Sequence, residues 1–137
     1  MQTRPIVIVE DDLDDCELLT IALKAAGVKN QFRCFNSPDK ALTYLKTTEE
    51  KIFIIISDVN MPIMNGLEFK NSINKDECLN EKRIPFVFLS TSATRPMVDE
   101  AFKLCANGYF QKPTSFRDLT QIGRSILEYW QNSQLPS

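Results

Sequence analysis

Short apolar runs alternate with amphipathic stretches along this chain. Ile6–Val9 is a continuous β-branched run, the pattern of a strand buried on both faces. From Leu13 to Ala26, the residues Leu13, Cys16, Leu19, Leu23 and Ala26 share one helical stripe, and Gly27 is placed to stop the helix. Gln31–Phe35 reads as a weaker second strand. Ser37-Pro38 predicts a helix start, with Ser37 as cap, Pro38 in the first turn, and Ala41, Leu42 and Leu45 facing inward. Ile52–Ile56 is the clearest buried strand. A short helix is expected after Asn65-Gly66, carrying Leu67 and Ile73, and the polar stretch Asn74–Arg83 reads as a longer surface connection. Phe86–Leu89 supplies a fourth strand, Met97–Cys105 belongs to the fourth helix, and Tyr109-Phe110 marks a brief fifth strand. Ser115 with Asp118 resembles a capping box. It opens a last helix whose stripe is Phe116, Leu119, Ile122, Ile126 and Trp130, followed by a short polar tail.

Parallel strands need crossover connections, so five β–α units imply a parallel sheet between two helix layers. In such α/β sheets ligands sit beyond the carboxyl ends of the strands. A length of 137 residues fits one compact domain, with its core spanning about residues 4–131.

Charge and composition narrow the chemistry. The net charge is −2 and there is no long Lys/Arg run, which argues against nucleic acid or an anionic membrane as partner. No signal-peptide h-region follows Met1, and the longest apolar run is far too short to span a bilayer, so a cytoplasmic location is expected. The four cysteines, Cys16, Cys34, Cys78 and Cys105, form no C-x-x-C pair. Cys16 and Cys105 fall among apolar residues at helical spacing, as small buried hydrophobes in a reducing compartment. The chain contains no histidine, which excludes Ser-His-Asp and Cys-His chemistry and any role as a phosphohistidine donor. What remains is carboxylates, hydroxyls, lysine and a hard metal ion.

Those groups stand at the predicted strand ends. Glu10-Asp11-Asp12 follows the first strand, Asp58 the third, Ser90-Thr91-Ser92 ends the fourth, and Lys112-Pro113 ends the fifth. Gathered carboxylates repel one another unless a cation relieves them. Mg²⁺ (or Mn²⁺ in its place) suits two carboxylates plus a carbonyl, and Lys112 adds a point charge for an anionic group. Taken singly each piece has an ordinary explanation: Asp12 as a helix cap, Asp58 as a turn former, the Ser/Thr cluster as a loop tie, Lys-Pro as a bend. The signal lies in all four following apolar runs in this order.

The segments IVIVEDD (Ile6–Asp12), IIISDVNMPIMNGLEF (Ile54–Phe69), PFVFLSTSA (Pro85–Ala93) and GYFQKP (Gly108–Pro113) resemble the receiver domain of two-component response regulators. The resemblance implies a flavodoxin-like three-layer α/β sandwich, with a five-stranded parallel sheet of order 2-1-3-4-5 and five helices. It implies Asp58 as phosphoacceptor. Metal would be held by Asp11, by Glu10 mostly through water, by Asp58, and by the Asn60 backbone carbonyl. Lys112 would pair with the phosphoryl oxygens, positioned by a Lys112–Pro113 bond that is typically cis in the family. Ser90 would be the switch hydroxyl, Tyr109 the aromatic that follows it inward, and Gly66 a point of close backbone packing. Asn60 and Ser92 flank the path of a hydrolysing water and are expected to set the lifetime of the phosphorylated form. Thr91, where the family usually has Ala or Gly, narrows access. The implied partners are a sensor histidine kinase or phosphotransfer protein, and a downstream protein that reads the fourth helix, fifth strand and last helix, with the chain a monomer or weak homodimer. No output domain is expected after the last helix, and catalysis is expected to be confined to the chain's own phosphorylation and dephosphorylation. Two other readings stay open. One is a binding module of the same fold that works through its surface. The other is an Asp-nucleophile phosphatase, for which Asn60 stands where a second acid is needed.

Overall fold

The structure is a computed structural model that describes residues 4–135. Its strands are Ile6–Val9 (β1), Phe32–Phe35 (β2), Ile54–Ser57 (β3), Phe86–Ser90 (β4) and Gly108–Gln111 (β5). All pair in parallel in the order β2-β1-β3-β4-β5, as the flavodoxin-like topology requires. The helices are Leu13–Ala25 (α1), Pro38–Thr47 (α2), Gly66–Lys75 (α3), Glu77–Lys82 (α4), Arg95–Lys103 (α5) and Phe116–Asn132 (α6).

The sheet separates two cores of different character. Side chains alternate across a strand, so Ile6 and Ile8 of β1 face one core while Val7 and Val9 face the other. The first core is largely aliphatic and lies under α1 and α6, where Ile54, Ile56, Val87 and Leu89 meet Leu23, Leu119 and Ile126. The second lies under the other four helices and is aromatic at its centre, with Phe86, Phe88 and Phe69 fully buried. Burial of each such side chain contributes about 1.5–3 kcal/mol. Asp12, Ser37, Asn65, Thr94 and Ser115 each cap a helix by accepting a backbone N–H three residues on. A cap of this kind stabilises by about 1 kcal/mol.

Register then aligns the chemistry. Val9 pairs with Ser57, so Glu10 and Asp58 leave the sheet side by side. Ser90 pairs with Gln111, which does the same for Thr91 and Lys112.

Several sequence expectations are corrected. There are six helices where five were expected, because Asn74–Arg83 holds the end of α3 and all of α4. Asp76 closes α3 and caps α4, accepting from the Leu79 N–H at 3.0 Å. Leu13 and Phe116 sit at the first position of their helices, ahead of the packed turns, and are exposed. Cys105 is exposed because it lies in the turn after α5, at φ 67°. Cys16 is buried as expected but bonded to Cys34 of β2 in a disulfide, since α1 packs its buried face over that strand. The Lys112–Pro113 bond is trans, the intrinsically favoured isomer, and no described peptide bond is cis.

Candidate functional site

Loops leaving β1, β3, β4 and β5 meet at the carboxyl edge of the sheet. Carboxylate oxygens of Glu10, Asp11 and Asp58 come within 4.8 Å of one another. Asp58 is fixed by its own turn: its Oδ1 accepts the Val59 N–H at 2.7 Å and the Asn60 N–H at 3.3 Å. The turn is backed by α3. A Cβ on Gly66 would stand 2.0 Å from the Asp58 carbonyl oxygen and 2.9 Å from the Val59 Cα, so no side chain fits there.

Lys112 is shared among the acids. Its ammonium pairs with Glu10, lies 3.5 Å from Asp58 Oδ2 and 3.6 Å from Asp15 Oδ2. Burial acts against the lysine charge, but the hydrogen bond to Glu10 and the attraction of Asp58, Glu10 and Asp15 outweigh it, and the pKa is raised. Glu10 is 6% exposed. Desolvation pushes its carboxyl up from 4.5 to about 7, against the lowering pull of Lys112 and with help from the charge of Asp58. One lysine therefore does not balance this cluster, and a second cation is needed to hold all the carboxylates ionised. The donors are hard oxygens, which fit a divalent ion of the Mg²⁺ or Mn²⁺ kind.

The remaining predicted residues form the rim. Asn60 Nδ2 donates to Ser92 Oγ at 3.0 Å, so these two side chains bridge the loops after β3 and β4. Ser90 is fully buried and its Oγ accepts the Ser92 N–H at 3.2 Å. The Tyr109 hydroxyl donates to the Ser92 carbonyl, and its ring packs 5.8 Å from that of Phe88. Thr91 is exposed, and its carbonyl accepts from Gln111 Nε2 at 3.3 Å. Asp12 takes the ordinary role weighed for it, as the cap of α1.

Sequence reasoning missed Asp15, which enters the cluster from the first turn of α1. Its signal was available: it lies one helical turn beyond Asp11, on a helix starting at the site. Also unforeseen is a cavity of ≈ 160 Å³ beneath the carboxylates, with Leu19, Ile56 and Leu89 in its walls.

A sequence model of the response regulator receiver domain matches residues 6–124. The chain belongs to this family. It is 30% identical over 129 residues to the probable methanogenesis regulatory protein FilR2 of Methanothrix harundinacea, covering 91% of this chain and 82% of that protein. Among solved structures, it resembles the phosphorylated cyanobacterial phytochrome response regulator RcpA at 30% identity with a TM-score of 0.86, covering 99% and 100% of the two chains. The Mn²⁺-bound form of response regulator Rcp1 matches at 27% identity and a TM-score of 0.83, covering 98% and 99%. This receiver is thus a two-component signalling protein of the flavodoxin-like fold, and phosphorylation and magnesium are general features of its family.

Proposed function

We propose that this receiver accepts a phosphoryl group on Asp58 from a phosphohistidine donor, a sensor histidine kinase or phosphotransfer protein. The observation that carries the proposal is the meeting of Asp58 with Glu10, Asp11 and Lys112 at one sheet edge. Asp58 Oδ1 is held by two backbone N–H groups, which leaves Oδ2, beside Lys112, as the freer nucleophile. An O–P bond forms as the bond from phosphorus to the donor nitrogen breaks, and the electron pair returns to the donor imidazole. Such transfers run through a loose transition state, so catalysis is positioning and charge neutralisation. Lys112 turns from the carboxylates to the incoming phosphoryl oxygens. Glu10, Asp11, Asp58 and the Asn60 carbonyl are the residues that would hold Mg²⁺. When bound, the ion supplies the positive charge that the carboxylates and the phosphoryl group both require.

The switch follows from the rim. Ser90 ends β4 beside the site, where its Oγ accepts the Ser92 N–H, and a phosphoryl group on Asp58 offers its O–H a strong acceptor. Moving Ser90 and Thr91 toward Asp58 displaces the Ser92 carbonyl on which Tyr109 is hung. We assign the readout to the adjoining surface of α5, β5 and α6. The Asn60–Ser92 bridge covers the approach to Asp58 and governs how readily water reaches the acyl phosphate, with Thr91 narrowing the same opening. The likeness to RcpA, a phytochrome response regulator, supports a kinase of the phytochrome class as donor.

Intact mass after incubation with acetyl phosphate or a phosphorylated donor kinase tests the reading. One phosphoryl adduct that requires Mg²⁺ and is lost in Asp58→Ala is expected. An adduct that persists in Asp58→Ala would overturn the assignment of the acceptor. Beryllofluoride with Mg²⁺ that leaves the Ser90 and Tyr109 resonances unmoved would overturn the switch.

A further inference from the structure

The entry end of β4 and β5, at the opposite edge of the sheet, carries a charge no part of the phosphoryl chemistry uses. Lys70 of α3 is 8% exposed. Its ammonium has three donors, yet its one hydrogen bond is to a neutral acceptor, Asn74 Oδ1 at 2.7 Å. The face of the Phe86 ring lies 5.5 Å away. No carboxylate pairs with it among the described residues, and desolvation lowers its pKa against a smaller raising pull from Cys105, which lines the same groove. A buried cation without a counter-charge is costly, and natural structures hold one mainly where something compensates it.

Lys70 lines a groove of ≈ 440 Å³ between α3, α4 and the turn leading into β5. Arg83 stands on the same groove, at the left-handed residue that ends α4, and its guanidinium makes no ion pair or hydrogen bond among the described residues. Asn107 uses its Oδ1 to accept the Phe86 N–H at 2.8 Å, which turns its Nδ2 donor group over to other partners. Ile73, Leu79 and Ile84 provide the apolar wall. None of the nine lining residues is a carboxylate, in a chain whose net charge is −2. Two unmatched cations, a free amide donor and an apolar wall therefore face one space.

We propose that this groove binds a small organic oxyanion, a carboxylate or phosphate monoester with an apolar body, whose charge pairs with Lys70 and Arg83. The apolar body lies on Ile73, Leu79 and Ile84. Asn74 also donates to the Leu104 carbonyl at 2.9 Å, so the ligand sits on the residue that ties α3 to the carboxyl end of α5. The site is separate from Asp58 by the length of the strands, roughly 15 Å at the usual rise per residue.

The test is a ¹H–¹⁵N NMR titration of the full chain, without divalent metal, using benzoate, phenyl phosphate and neutral benzamide at up to millimolar concentrations. Saturable shifts at Asn74, Asn107 and Ile73 are expected with one or both anions and not with benzamide, and the two anions distinguish a carboxylate site from a phosphate-ester site. Lys70→Met is expected to weaken binding roughly tenfold, and Arg83→Gln, at an exposed position, roughly threefold. Because Arg83→Gln leaves the core untouched, it keeps the test decisive if Lys70→Met does not fold. The proposal is overturned if neither anion shifts the groove, if benzamide shifts it equally, if affinity is unchanged in the folded variants, or if the shifts cluster at Asp58 and Lys112 instead.

Discussion

Two sites at the two ends of one sheet are opposite in charge. At the carboxyl end, three acids share Lys112, and Glu10 is driven toward its protonated form by burial. At the amino end, Lys70 and Arg83 line a groove with no acid at all. The strands between them are nearly all apolar, so neither end inherits its character from the sheet. Each is set by the first residues after or before a strand and by the helix that packs there. Excess charge at either end is tolerated because the two cores stabilise the intervening layer, and a site of strong binding is where that stability is spent.

The contrast can be tested by removing its supports. The largest effect is expected from Gly66→Ala, whose Cβ would collide with the Asp58 backbone. It should cost about 3 kcal/mol or more in urea unfolding, and a cost below about 1 kcal/mol would mean that the α3–β3 approach is looser than described. Next is Lys112→Met in chelated protein, which leaves Glu10, Asp15 and Asp58 without their shared cation. A loss of about 2 kcal/mol is expected, and Mg²⁺ should recover more of it than it adds to the wild type.

A pH effect should follow. Glu10 binds its proton more tightly folded than unfolded, so between about pH 4.5 and 7 the folded state holds more protons. Its contribution is therefore undiminished below the unfolded value and is lost as pH rises through the folded one. Chelated protein should lose stability over that window, Glu10→Gln should flatten the loss, and a profile that rises there in wild type would contradict the raised pKa. The smallest effect belongs to the other end. Lys70→Met replaces a desolvated, unmatched charge with an apolar chain of similar length, and its unfolding free energy should stay within about 1 kcal/mol of wild type. A much larger loss would mean that Lys70 has a charge partner.

Much of this was legible because the relevant signals are local. β-branched runs marked β1 and β3, Ser37-Pro38 and Asn65-Gly66 marked helix starts, and the polar residues after each apolar run marked the sheet edge. The resemblance to receivers also implied, at Gly66, a close contact that the backbone makes. What escaped were features with one anchor or distant partners. α4 buries only Leu79, too little to display a helical period. Asp15 reaches Lys112 only after the whole chain has folded. Lys70 gave no sign that its charge lies inside, since lysine is normally read as surface. The pairing of Cys16 with Cys34 has no sequence spacing to announce it.

That pairing bears on the unfolded chain more than on the folded one. The bridge spans a sequence separation of 18 residues, from the helix beside the acids to an edge strand. Closing a loop of that size removes conformational freedom worth about 3 kcal/mol from the denatured ensemble, in the chain-entropy account. The protein accordingly has two folding equilibria, one for the dithiol and one for the crosslinked chain, and denaturant midpoints with and without reductant should separate. Coinciding midpoints would show that the crosslink contributes nothing. If they separate, the lifetime of this receiver against proteolysis is set by the thiol–disulfide balance around it, a quantity to which phosphate is indifferent.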